Sequence, residues 1–202
     1  MLTILVGTPD QLQGGVEADL ATYRYKVFVE HLGWDLPITQ VGAERDEYDR
    51  PDTLYVLVKD FSGNICGCAR LLPTTQDYPL ASMCPELFGN QPIPRATDVW
   101  ELSRYTTQLV NGEITSREEA QGRFRHLLQA VVEAAAKRGA RRLITFSFLG
   151  VERIARNFGL HVHRVGPPQM MDGKPIIAFW IELDEQTFTA LGLPPALPAT
   201  AH

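Results

Sequence analysis

The chain has 202 residues, 45% of them apolar, with 19 Lys/Arg, 24 Asp/Glu and a formal net charge of −5. That length and apolar share provide for one sizeable buried core, and the acidic balance excludes a general nucleic-acid binder. No run of about 18 apolar residues is present, so no membrane-spanning helix is expected.

The N-terminus from Met1 to Asp10 lacks a basic region and a long apolar stretch. It reads as a first strand, not as a secretory signal. Residues 16–32 read as an amphipathic helix, because Val16, Leu20, Tyr23, Val27 and Leu32 recur at helical spacing and Gly33 ends the run. Arg24 and Phe28 share one face of it, although ordinary core burial would also account for Phe28. From Trp34 to Pro51 the periodicity stops and charges crowd together in Glu44-Arg45-Asp46-Glu47-Tyr48-Asp49-Arg50. Trp34, Leu36 and Tyr48 make this an ordered loop, since a flexible linker would not need them. Thr53–Val58 and Ile65–Leu72 form a hairpin around Ser62-Gly63-Asn64.

Three cysteines, Cys66, Cys68 and Cys84, make no disulfide framework and fit a reducing cytosol. Cys66 and Cys68 share a strand face, where buried thiols fit better than a two-ligand zinc site. A short helix at about 80–88 follows the hairpin, and Pro92 and Pro94 mark a loop. Asp98 to Arg104 then reads as a half-buried strand, with Trp100 and Leu102 on one face and Val99, Glu101 and Ser103 on the other. Glu101 and Arg104 suit an edge-strand salt bridge, but a regular strand would point them to opposite faces. A bulge would bring them together.

Ser116-Arg117-Glu118-Glu119 is a capping box opening a helix with Phe124, Leu127, Leu128, Val131 and Ala135 inward and Gly139 at its end. Arg142–Phe148 is a strand, Val151–Asn157 a helix stopped by Gly159, and Ile176–Leu183 the last long strand. His161 and His163 share a strand face without an evident third ligand, so no metal is expected. The Pro-rich segment 193–202 reads as a disordered tail, leaving 1–192 as one domain. Interleaved strands and helices favour a three-layer α/β/α sandwich. Charge is uneven: residues 117–164 hold ten Lys/Arg and four Asp/Glu, while the remainder is strongly acidic. A basic sector on an acidic protein suits either solvated helix faces or a docking surface for an anionic partner.

Trp100-Glu101-Leu102-Ser103-Arg104 resembles the central motif of the LuxI-type acyl-homoserine lactone synthases, the autoinducer synthases of quorum sensing. The family's other motifs are matched in order by Arg24, Phe28 and Trp34, by Asp46 and Asp49, and by Gly67, Cys68, Arg70, Leu72, Thr74 and Thr75. The resemblance implies a single domain with a mixed sheet related to the GNAT acyltransferases, whose central strands splay to admit a pantetheine thioester. It also implies an acyltransferase that joins S-adenosylmethionine to an acyl group from an acyl-acyl carrier protein. The methionine amine attacks the thioester; its carboxylate then closes the lactone and expels methylthioadenosine. S-adenosylmethionine is a co-substrate, and no further cofactor is implied.

Residue by residue, the resemblance makes Glu101 the base, acting directly or through water. Arg24, Arg70 and Arg104 would form an ionic cluster with Asp46, Asp49 and Glu101, while Phe28 and Trp34 would wall the S-adenosylmethionine pocket. Which arginine meets the substrate carboxylate stays open, as does whether Asp46 and Asp49 only brace the loop. Met83, Cys84, Tyr105, Phe146, Phe148, Met170 and Trp180 are candidate acyl-pocket residues, suited to a chain of roughly eight carbons whose selectivity is graded. Thr145 and Ser147 offer hydroxyls for an oxidised third carbon. Arg153 falls at the family's carrier-docking position, with Arg156 offsetting Asn157 at the next one. Cys84 and Tyr105 depart from the family pattern, where Phe is more usual. A cytoplasmic monomer is expected. The alternatives are a GNAT-type N-acyltransferase using acyl-CoA and another amine, or a non-catalytic module binding S-adenosylmethionine or a carrier.

Overall fold

The structure, a computed structural model, describes residues 2–12, 14–110, 115–171 and 173–194. The chain divides into two compact units, each assembled from separated stretches: Met1–Leu71 with Arg104–Val131, and Leu72–Ser103 with Val132–His202. The expected disordered tail falls outside the described residues from position 195 onward.

In the first unit, β1 (Thr3–Gly7), β2 (Leu54–Lys59) and the part of β3 (Ile65–Pro73) up to Leu71 form an antiparallel ribbon. Helix α1 (Val16–Arg24) covers it. Val16, Leu20 and Tyr23 pack with Tyr55, Leu57, Ile65 and Cys68 in one buried cluster, because their spacing stripes one helix face toward the apolar side of the strands. The expected single helix over 16–32 is only partly found, since from Tyr25 to His31 the backbone winds as a π-helix. The wider turn changes which side chains align, and such turns concentrate at functional sites. Here it closes with Trp34 N–H donating to Phe28 O at 2.9 Å.

In the second unit, β4 (Val99–Thr106) up to Ser103 lies parallel to β5 (Arg142–Phe148), and β5 pairs antiparallel with β8 (Lys174–Glu182). Strands β6 (Val162–Arg164) and β7 (Gln169–Met171) line the other side of β8. The sheet is therefore mixed, with helices against it, as expected. Helices α2 (Pro79–Met83), α4 (Leu149–Asn157) and α5 (Glu185–Leu191) belong to this unit. The β4/β5 register runs only from Val99↔Arg142 to Glu101↔Ile144. At the next step the Thr145 hydroxyl donates to Leu102 O at 2.7 Å, so a side chain takes the acceptor that a backbone N–H would use in a continued ladder.

Helix α3 (Arg117–Lys137) runs from the first unit into the second. The capping box is formed in full: Glu119 N–H donates to Ser116 Oγ, and Glu119 Oε2 accepts from Ser116 N–H. Leu127, Leu128, Val131 and Ala135 are buried as expected.

Candidate functional site

The charged loop of the first unit is ordered by a set of buried ion pairs. Arg24 Nε donates to Glu44, and Arg24 Nη1 donates to Asp49 at 2.7 Å. Arg70 donates to Asp46 (Nη2 to Oδ2, 3.0 Å) and to Asp49 (Nη1 to Oδ1, 3.1 Å). Arg104 Nη2 donates to Glu44 and to Asp46, both at 2.9 Å. Three arginines thus face three carboxylates, all nearly buried. Complete pairing keeps such a set tolerable, since an unpaired buried charge costs several kcal/mol.

The third carboxylate of this cluster is Glu44, which sequence reasoning did not single out. In an irregular loop no periodicity says which charge turns inward. The deciding contact is the Glu44 backbone N–H donating to Ala21 O of α1 at 3.0 Å, a feature no motif records. Asp46 and Asp49 both brace the loop and meet the arginines: Asp46 Oδ1 accepts from Tyr48 N–H, Asp49 Oδ2 from Asp46 N–H, and Asp49 Oδ1 from Tyr55 Oη–H at 2.6 Å.

Where a bulge was expected in β4, Arg104 has a left-handed backbone, with φ 50°. Such a conformation costs a non-glycine residue on the order of 1 kcal/mol or more. It delivers the guanidinium to Glu44 and Asp46, and to the aromatic pair Phe28 and Trp34. Those two rings stack at 4.8 Å, and the Arg104 guanidinium lies 5.6 Å and 5.8 Å from their centroids. Arg104 O also accepts from the buried Cys68 thiol, whose burial pushes its pKa up to about 12, so Cys68 stays a neutral structural thiol.

Glu101 lies in the second unit and is fully buried. Its Oε1 accepts from Leu80 N–H, at the start of α2, at 2.9 Å. The segment presenting that N–H is itself fixed, with Tyr78 Oη–H donating to Pro94 O and the Thr74 hydroxyl to Val99 O. The carboxylate is therefore held in one orientation.

The acyl-pocket candidates separate. Met83 and Met170 are 54% and 67% exposed. The Arg142 guanidinium lies 5.1 Å from the Trp180 ring centroid, with the His163 ring alongside, and Lys174 Nζ lies 5.5 Å from the Phe148 centroid. Phe146 and Phe148 are partly buried on one face of β5, and Cys84 is buried. Tyr105, in the first unit, donates its hydroxyl to Phe124 O and packs edge-on against that ring. Thr145 is committed as a donor to Leu102 O. His161 and His163 pair with Asp184 and Glu182. Among the described residues no group of three His, Cys, Asp or Glu that could hold a metal is found, and no helix is long and apolar enough to cross a membrane.

Burial opposes ionisation of Glu44 and Asp49, but hydrogen bonds and charge from Arg24, with Arg104 on the first and Arg70 on the second, hold both below the usual carboxylate range. A depressed carboxylate stabilises the fold at pH values above its unfolded pKa, and that contribution is lost as pH falls through the folded one. Urea unfolding should thus be insensitive to these groups above about pH 5 and weaken below about pH 4. Asp49→Asn should lower stability at pH 7 by about 3 kcal/mol or more and flatten the acid limb. An unchanged acid limb in the mutant would contradict the assignment.

Comparison with known proteins bears on what this arrangement does. Residues 12–191 match the family model described as autoinducer synthase. An acyl-homoserine-lactone synthase of Ralstonia solanacearum is 45% identical over 191 residues, covering 94% of this chain and 93% of that one. The solved structure of TofI, in a ternary complex with an inhibitor and MTA, superposes with a TM-score of 0.84 at 46% identity, covering 96% of this chain and 99% of that one. BjaI, a CoA-dependent acyl-homoserine lactone synthase, shares the fold at 23% identity and TM-score 0.80, covering 98% of this chain and 92% of that one. The chain belongs to the autoinducer synthases, the acyltransferase family that makes acyl-homoserine lactones.

Proposed function

We propose that the chain makes its lactone from S-adenosylmethionine and a medium-chain acyl-acyl carrier protein, of about eight carbons. The observation that carries the first half is the Phe28/Trp34 stack roofed by a paired arginine. An aromatic face suits both an adenine and a sulfonium, and attracts the cation by on the order of 1 kcal/mol. Arg24 and Arg70 are buried among the carboxylates, whereas Arg104 alone of the three sits on the aromatic wall. Arg104 is therefore the arginine suited to the methionine carboxylate, orienting it for the ring closure that expels methylthioadenosine. The partner MTA in TofI is the same thioether product.

Glu101 takes the proton of the attacking amine, directly or through a water, after which the amine attacks the thioester carbonyl. Its anchoring at Leu80 N–H keeps the lone pair aimed while the rest of the chain binds substrate. The carrier as donor is favoured by the basic run 117–164 on an otherwise acidic chain, since carrier proteins are acidic. The chain-length reading rests on Phe146 and Phe148, whose bulk shortens any cavity along their face of β5.

Three outcomes are expected. Incubation with S-adenosylmethionine and a panel of acyl-carrier and acyl-CoA thioesters should give, by mass spectrometry, chiefly the eight-carbon lactone from the carrier series. A preference for twelve carbons or more, or for CoA, would overturn that part. Glu101→Gln should reduce turnover by about a hundredfold or more with the fold kept, and near-normal turnover would remove Glu101 from the mechanism. Trp34→Ala should weaken S-adenosylmethionine binding by about 1–3 kcal/mol and leave carrier affinity alone. The reverse pattern would assign Trp34 to the acyl side.

A further inference from the structure

The basic run is not a uniform charged surface, because one acid is buried within it. Glu152, in the first turn of α4, is 2% exposed although it sits among arginines that are half in solvent. Arg164, at the end of β6, reaches it through two nitrogens: Nε to Oε1 at 3.0 Å and to Oε2 at 3.1 Å, and Nη2 to Oε2 at 2.8 Å. Arg156, one turn further along α4, donates Nε to Oε1 at 2.8 Å. The two side chains remain 47% (Arg164) and 49% (Arg156) exposed. The carboxylate therefore grips each arginine by its Nε side and leaves part of each guanidinium facing solvent, beside the exposed Arg153.

We propose that Glu152 is a positioning residue for the acyl donor: it fixes Arg156 and Arg164 as a rigid pair of guanidiniums, and Arg164 belongs with Arg153 and Arg156 to the surface that receives the acidic carrier protein. The inference rests on the reading that a carrier is the donor. An unclamped arginine loses much side-chain freedom when it is captured by a partner, and the buried carboxylate has already removed that freedom. Three arginines and one acid still leave the surface positive, so complementarity to an acidic partner is kept. Arg164 is far from the motifs that carry the family resemblance, and its place beside α4 follows only from the β6 pairing with β8.

Charge alone and pre-organisation predict opposite results. Glu152→Gln removes a negative charge, so a surface acting through charge alone would bind the carrier more tightly. Pre-organisation predicts a KM for acyl-carrier substrate raised on the order of fivefold at low salt, with kcat and S-adenosylmethionine affinity unchanged. Arg164→Lys keeps the charge on an exposed side chain but cannot make the two-pronged contact, and the same split is expected. It also serves should Glu152→Gln fail to fold. Arg153→Glu is the control for the donor itself, expected to raise the carrier KM at low salt and to lose that effect as salt rises. If Arg153→Glu responds but Glu152→Gln and Arg164→Lys leave the carrier KM unchanged or lower it, the positioning role is overturned while the carrier reading stands. If none responds and acyl-CoA supports full turnover, both fall.

Discussion

Everything in the first unit turns on keeping six buried charges neutral. Arg24, Arg70 and Arg104 are matched by Glu44, Asp46 and Asp49, and no member is replaceable without stranding another. Trp34 and Leu36 anchor the loop 34–51 to the apolar cluster and Tyr48 is buried, while its charged residues are held by ion pairs and hydrogen bonds. Such a set contributes modestly to net stability, because desolvation cancels most of the attraction. The arrangement that pairs these six groups also lays Arg104 across Phe28 and Trp34. The strained φ of Arg104 is the local cost of that placement.

The second unit answers a different demand. The parallel β4/β5 ladder stops after three residue pairs while β5 stays paired with β8 to Phe148, and the Thr145 hydroxyl satisfies the carbonyl of Leu102 that the ladder would otherwise leave bare. Just before that point Glu101 is buried and oriented by a backbone N–H. A carboxylate held by fixed groups has little reorganisation left to do when it accepts a proton, which is the property a base requires.

Much of this was legible in the sequence. Strand and helix periods placed the long strands and helices, though not β7 or α5, and the Ser116–Glu119 capping box formed as its spacing requires. That Glu101 is buried and Arg104 nearly so was legible from the half-buried strand pattern, whereas their separate partners, Leu80 N–H for Glu101 and Glu44 with Asp46 for Arg104, were not. What stayed hidden were features set by non-local geometry. A π-turn has no distinct hydrophobic period within seven residues, so 25–31 passed for ordinary helix. Glu44 turns inward because its backbone docks on α1, and Arg164 joins α4 because β6 pairs with β8. Exposure was hidden too: apolar identity does not tell that Met83 and Met170 are largely exposed or that Trp180 lies against Arg142 and His163.

In the proposed function, the ionic cluster holds Arg104 on the aromatic wall that would receive S-adenosylmethionine. The most direct measurement is the S-adenosylmethionine affinity of Glu44→Gln, by calorimetry on protein whose fold is verified by circular dichroism. The substitution preserves shape but releases Arg104 and Arg24 from their shared carboxylate, and affinity should fall by tenfold or more, about 1.4 kcal/mol. A folded Glu44→Gln protein that binds S-adenosylmethionine as tightly as the parent chain would contradict the account.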